Sequence, residues 1–512
     1  MKRIGLGMLL AAAGWMGTMG LAQAEGTLYF GISSEPRNLE PQIQAGTVHR
    51  TFTLAMHRGL VNYGIDGTLS NELAESHEMS PDGKVMTFRL RDAKFHNGAP
   101  VTAQDVKATF ERLMDPKGVS PSMRAQFEVV EAIDAVDDRT LRITLKQPSM
   151  TFLHYLALPE AVILPASWIA EHGMDATAAT PIGAGPFKFA DWSRGRELTV
   201  EKFDDYYKEG KPALDAVTFQ FYPDENTRMN AIKSGDVDLV DYVPARELAL
   251  IEGEDALKVA STVGPFMALQ YNTKATPFDN PLVRRALGHA IDRQAIINTA
   301  FDGVGEPIWG LGIPKGYPGY DEERAKFFEV DLDKARAMLA EAGYPDGFEV
   351  RLVSTSQYSF HQNTAIAVQA ELAKIGVKVN LDLGDWATRT QKILKADYDI
   401  AIMGTVGEIV DPDWLGYHYY GGQNLVRNVN PAHFDDAQVN ALIEKGRVTV
   451  DPAEREQVYA ELSDRLLELS PLVFLVFRDN SFALADKVEG FTNMPAFLTF
   501  LSAYSLEDVD LK

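Results

Sequence analysis

Residues 398–414 read YDIAIMGTVGEIVDPDW, an apolar run that passes into a loop crowded with acids. Ile400, Ala401, Ile402 and Met403 have the character of a buried strand, because a short apolar run bounded by turn signals suits a strand covered on both faces. Gly404 and Thr405 end the run. Glu408, Asp411 and Asp413 follow beside Trp414, with Tyr417 three residues further on. Carboxylates at the mouth of a buried strand can hold a cationic ligand, brace a turn or take part in acid–base chemistry. A solvated loop with one packed indole is the plainer alternative.

Other chemistry is sparse. The chain has no cysteine, which excludes disulfides, a thiol nucleophile and Cys-ligated metal. It contains no phosphate-binding P-loop, no H-E-x-x-H and no G-x-S-x-G elbow. The histidines are scattered; HFDD at 433–436 is a weak metal candidate that a solvated loop explains better. Carboxylate pairs abound, but none is set apart by spacing as an acid/base pair. Gly183 and Gly185 in PIGAGPF precede Pro and Phe, not a nucleotide-binding helix, and suit a packed turn or a close backbone approach to a ligand. No cofactor and no metal site are expected.

The elements that must position the acidic loop alternate between strand and helix. TLYFGI (27–32), VMTFRL (85–90) and LRITLK (141–146) read as strands. Residues 102–114 read as a helix capped by Thr102, and residues 227–240 as a helix stopped at Gly235 and then a strand. PLVRRALGHAIDRQAIINTAF (281–301) reads as one helix with Pro281 in its first turn, and DLDKARAMLAEAGY (331–344) as another ending at Gly343. FEVRLVST (348–355), the helix in 364–375, a stop at Gly376 and the strand before Gly384-Asp385-Trp386 make a βαβ unit with a parallel pair. Ligands of open α/β sheets sit beyond the carboxyl ends of strands, which is where the acidic loop falls.

Acids outnumber bases by 72 to 49, for a formal net charge of −23. Nucleic acid and anionic lipid surfaces would repel such a chain. Lys2 and Arg3, an apolar stretch from Ile4 to Leu21 and Ala22-Gln23-Ala24 have the form of a secretory signal peptide spanning 1–24. No later apolar run is long enough to span a bilayer, SPLVFLVF (470–477) included. With no cysteine to carry a lipid, these features predict a periplasmic protein without a membrane anchor. At 512 residues the chain exceeds the roughly 250–300 that one core usually organises. Two lobes are expected.

LAESHEMSPDGKVMTFRLRDAKFHNGAPVTAQDVKATFERL (73–113) resembles the family 5 solute-binding proteins of ABC importers, the group of dipeptide, oligopeptide, nickel and opine receptors. TPIGAGPFKF (180–189), the segments 201–240 and 269–293, LAEAGYPDGFEV (339–350) and ELAKIGVKV (371–379) continue the resemblance in order. His77 stands where the family has Trp. The Pro81-Asp82-Gly83 turn and the capped helix near Thr102 are scaffold motifs.

The resemblance implies an α/β, two-lobed periplasmic-binding-protein type II-like fold with an extra subdomain. Lobe I would comprise 25–266 and 480–512, with the subdomain at about 61–182, and lobe II 272–475. Hinge crossings would lie near 266–272 and 476–481. The implied function is a monomeric, non-enzymatic periplasmic receptor that closes around a peptide or related amine-containing solute and delivers it to the importer's membrane permease subunits. A secreted hydrolase on a similar scaffold, or a sugar, opine or metal-chelate cargo, are the alternatives.

The family's peptide receptors place an Asp four residues before a Pro in the loop after this strand, for the ligand's α-ammonium. The step falls on Glu408 here, which makes Glu408 the expected anchor, hydrated when empty. Asp411 is a further candidate at the ligand, expected to cap or brace the turn, and Asp413 is expected to face solvent. Gly404, Thr405, Trp386, Trp414 and Tyr417 complete the second-lobe candidates, and Ser34 and Glu35, in the loop after the first strand, face them from the other side. The family's dipeptide receptors carry an Arg for the ligand carboxylate in the segment matching VSTSQYSFHQN. That segment has none after Arg351, so a strict dipeptide clamp is not expected.

Overall fold

A computed structural model describes residues 26–43, 46–118, 120–421 and 434–512. The expected signal peptide and His433 lie outside these residues. The fold is mixed α/β and two-lobed, built on a long continuous sheet. At one end Thr27–Ile32 pairs in parallel with Ala216–Phe221 and with Leu239–Val240. At the other end Glu349–Thr355 pairs in parallel with Lys378–Gly384 and with Ile400–Thr405. The βαβ unit read from the sequence is therefore present.

Two long strands join the ends. Leu257–Tyr271 runs antiparallel to Leu472–Ala485, and the ladder slips between Val263 and Phe266 and again between Met267 and Ala268. Such irregularities bend a sheet and raise its local twist. Residues 272–471 thus form an insertion between two strands that stay paired. Ala74–Met79, Val85–Leu90, Thr140–Leu145 and Val130–Asp137 make a separate four-stranded antiparallel sheet. Pro81-Asp82-Gly83 turns its first hairpin, with Gly83 at φ 69°.

Local chemistry explains most boundaries. Thr102 and Asp105 form a reciprocal capping box at the start of Ala103–Met114, satisfying two otherwise orphaned amides. The helix Glu225–Ser234 ends where Gly235 takes the left-handed conformation. Two expectations need correction. Residues 281–301 form two helices, Pro281–Ala290 and Arg293–Ala300, because Asp292 breaks the run and caps the second through the Gln294 and Ala295 amides. The helix expected from 364 begins earlier, as Ser359–Ala373, so SFHQN is its first turns and not a preceding loop. Among the described residues no helix is long and apolar enough to cross a membrane.

Candidate functional site

The acidic loop leaves Ile400–Thr405 beside the crossing strands, since Thr405 pairs with Phe266. Glu408 is buried, not hydrated, and it sits at φ 56°, a conformation that costs a non-glycine residue about 1–3 kcal/mol. Its Oε2 lies 2.7 Å from Arg50 Nη1. Arg50, on the helix Thr47–Met56, also donates to Glu160 Oε1 at 3.0 Å. One guanidinium therefore stands between two buried carboxylates. Burial raises the Glu408 pKa above the usual carboxylate range; Arg50 opposes that shift and Glu160 adds to it. Burial also works against the Arg50 charge, but Glu160 and Glu408 more than compensate and Tyr417 adds to them, so Arg50 stays protonated.

The rest of the loop is held by partners within the protein. Asp411 accepts from the Asp413 amide and pairs with Arg455 at 2.7 Å. Asp413 does not face solvent: it is fully buried, bound by Arg447 at 3.0 Å and by the Tyr155 hydroxyl at 2.6 Å. Trp414 packs among Phe266, Phe474 and Phe497 in the core. Thr405 and Tyr417 are buried, and Gly404 stays partly open with His361 Nε2 close by. Glu35 turns away to the hairpin formed by Phe187–Ser193 and Glu197–Lys202, accepting from Trp192 Nε1 and the Gly195 amide. Gly183 and Gly185 form a packed turn: a Cβ on either would collide with the Met56 backbone.

A second cluster was not foreseen. Arg389, on the helix Trp386–Leu394, is fully buried with its Cζ 4.8 Å from the Trp386 ring centroid. Arg478, on the crossing strand, lies 4.3 Å over Phe360 and is hydrogen-bonded to Tyr242. Arg389 donates to the Ile402 carbonyl and Arg478 to its neighbour Asp479's carbonyl. Neither has a carboxylate ion-pair partner among the described residues, and the Nε of each is buried without a hydrogen-bond partner. Burial lowers both pKa values, Arg389 to about 10, which leaves Arg389 charged at neutral pH.

His361 lies between them, with Nδ1 also unpartnered. Burial, reinforced by Arg389 and Arg478, holds its pKa well below the usual imidazole value and keeps the ring neutral. Tyr242, Tyr358, Phe360 and Trp386 complete an aromatic cage. Tyr242 is a second strained residue, at φ 48°. A cavity alongside is lined by Tyr242, Phe360, Arg478, Ser359, Glu225 and Arg246. Buried polar atoms are normally satisfied. Two unpaired guanidiniums and a neutral imidazole in an aromatic recess are suited to an anionic group with hydrogen-bonding neighbours.

The two ends of the molecule meet over this recess. Ser34 bonds Tyr358 and Ser359 donates to Glu225 at 2.9 Å; beside the acidic loop, the Val410 amide donates to Tyr63 at 3.2 Å. Arg389, Arg478 and Tyr242 come from three distant segments, so no local motif announces them. The one available signal was Arg389 three residues after Trp386.

The model for bacterial extracellular solute-binding proteins, family 5, matches residues 68–426. The chain belongs to that family. The receptor is 30% identical to the glutathione-binding protein GsiB of Pectobacterium atrosepticum, over 94% of this chain and 93% of that one. It is 57% identical to AgaA, a PBP from A. tumefaciens R10 solved in complex with agropinic acid. That match covers 95% of this chain and 99% of AgaA at a TM-score of 0.91. The ABC transporter-associated periplasmic binding protein DppA of Helicobacter pylori, in complex with the peptide STSA, is 26% identical, over 95% and 98% of the two chains at a TM-score of 0.86. The family consists of solute-binding receptors of ABC importers, and this chain is one of them.

Proposed function

We propose that the cargo is a small carboxylate-bearing solute of the opine-acid type, enclosed between the lobes with its carboxylate on Arg389 and Arg478. The observation that carries this reading is the pair of buried guanidiniums without an acidic partner around neutral His361. The 57% identity to a protein bound to agropinic acid supports it. Tyr242, Tyr358, Phe360 and Trp386 would pack on the body of the solute, and Gly404 would leave room beside His361. The Glu225–Ser359 and Ser34–Tyr358 contacts would close over it.

The lobes are taken as 25–266 with 480–512, and 272–475, hinged at the crossing strands. We assign the receptor to the periplasm, reached through a signal peptide cleaved after Ala24, and to a monomeric state. A short peptide or glutathione is the second reading, favoured by the DppA and GsiB relatives.

Calorimetric titration with agropinic acid and with its methyl ester tests the proposal. A charge-assisted hydrogen bond is worth about 1.5–3 kcal/mol. Esterification, Arg389→Gln and Arg478→Gln should therefore each weaken binding roughly 10- to 150-fold. Equal binding of acid and ester would overturn the carboxylate site, and tight binding of peptides in place of the acid would favour the second reading.

A further inference from the structure

Arg50, Glu160 and Glu408 do something that binding of an acid does not require. Arg50 and Glu160 belong to the first side of the molecule and Glu408 to the second, so the 2.7 Å Arg50–Glu408 pair crosses the cleft. The side chains of all three are at most 6% exposed. Without Arg50, two carboxylates would share a dry site, an arrangement that demands a cation or a proton. The groups facing Arg50 are Glu160, Glu408 and Tyr417, and none of them supplies a cation. His49, the neighbouring titratable group, is driven towards its neutral form by burial.

We propose that Arg50 is the cleft's resident counter-ion, and therefore a specificity-determining residue: it occupies the seat between Glu160 and Glu408 that a solute's primary ammonium would take, and it latches the two lobes while doing so. The receptor then has no advantage to offer a free amine, and part of the closing free energy comes from the protein itself. This rests on the reading that solutes bind in this cleft, but not on Arg389 or Arg478 or on the identity of the cargo.

The test uses trialanine and N-acetyl-trialanine as probes, titrated into wild type, Arg50→Gln and Arg50→Gln/Glu160→Gln. The double variant leaves only one buried acid and keeps a folded protein available if the single variant fails to fold. Wild type should not distinguish the two peptides. A folded Arg50 variant should prefer the free amine by tenfold or more. A tenfold preference for the free amine in wild type, or none in a folded variant, overturns the proposal. Small-angle scattering of unliganded wild type and Glu408→Gln reads the latch separately: the variant should have the larger radius of gyration, and an unchanged radius overturns the latch. Both readouts are independent of the acid-versus-ester comparison, so either proposal can fail while the other stands.

Discussion

Arg58 shows how this protein treats a buried charge that it does not reserve for a ligand. Arg58 donates to Glu507 at 2.8 Å, and Lys208 and Tyr206 complete the shell around that carboxylate. Burial works to raise the Glu507 pKa, but Arg58 and Lys208 override it and hold it at about 2. A carboxylate with a depressed folded pKa stabilises the protein above its unfolded pKa, and that contribution is lost as pH falls towards the folded value. Between about pH 4.5 and 2 the loss should be on the order of 3 kcal/mol. Denaturant unfolding across that range should show a shallower pH dependence for Glu507→Gln than for wild type; parallel curves would refute the assignment. Arg389 and Arg478 have no such shell, a contrast that fits the carboxylate-binding role proposed for them. The sequence could not show it, because pairing depends on partners hundreds of residues away. The resemblance singled out Glu408 by its step of four residues before Pro412, but its own partner, Arg50, is 358 residues distant.

At the scale of elements, most of the fold was legible because its signals are local. Thr102 declares its cap through its side chain, and Gly83, Gly235 and Gly376 declare their turns and stops by taking positive φ. The break at Asp292 was missed because apolar periodicity runs through it, whereas Asp292 caps by side-chain chemistry. The acidic loop illustrates the other limit, since its shape is set by what packs against it. A Cβ on Gly407 would stand 2.2 Å from the Phe497 ring, which is wedged among Trp414, Phe266 and Tyr317. Gly407→Ala should therefore cost about 1–3 kcal/mol by overpacking, measured by chemical unfolding. At Gly404 the added methyl would meet His361 Nε2 and Met267 Sδ at 3.0 Å, a contact that small shifts relieve. Gly404→Ala should leave unfolding nearly unchanged and weaken solute binding in calorimetry. A variant that loses stability but binds normally would remove Gly404 from the site.

At the scale of the whole molecule, the paired crossing strands bend where their register slips, and a solute touching both lobes should favour the closed arrangement. Scattering with saturating agropinic acid should give a smaller radius of gyration than the unliganded protein. A ligand that binds without compaction would rule out hinge closure. The same strands also set the order in which a newly made chain can become a receptor. Residues 272–471 are contiguous and can collapse early. The helix bearing Arg50, by contrast, is backed by the turns Ala496–Asp508, and Leu257–Tyr271 has to wait for Leu472–Ala485 as its neighbour. Contacts so distant in sequence form late and slowly. Solute capture should thus be the last property a folding chain acquires, so an incompletely made chain would not sequester cargo that it cannot hand on.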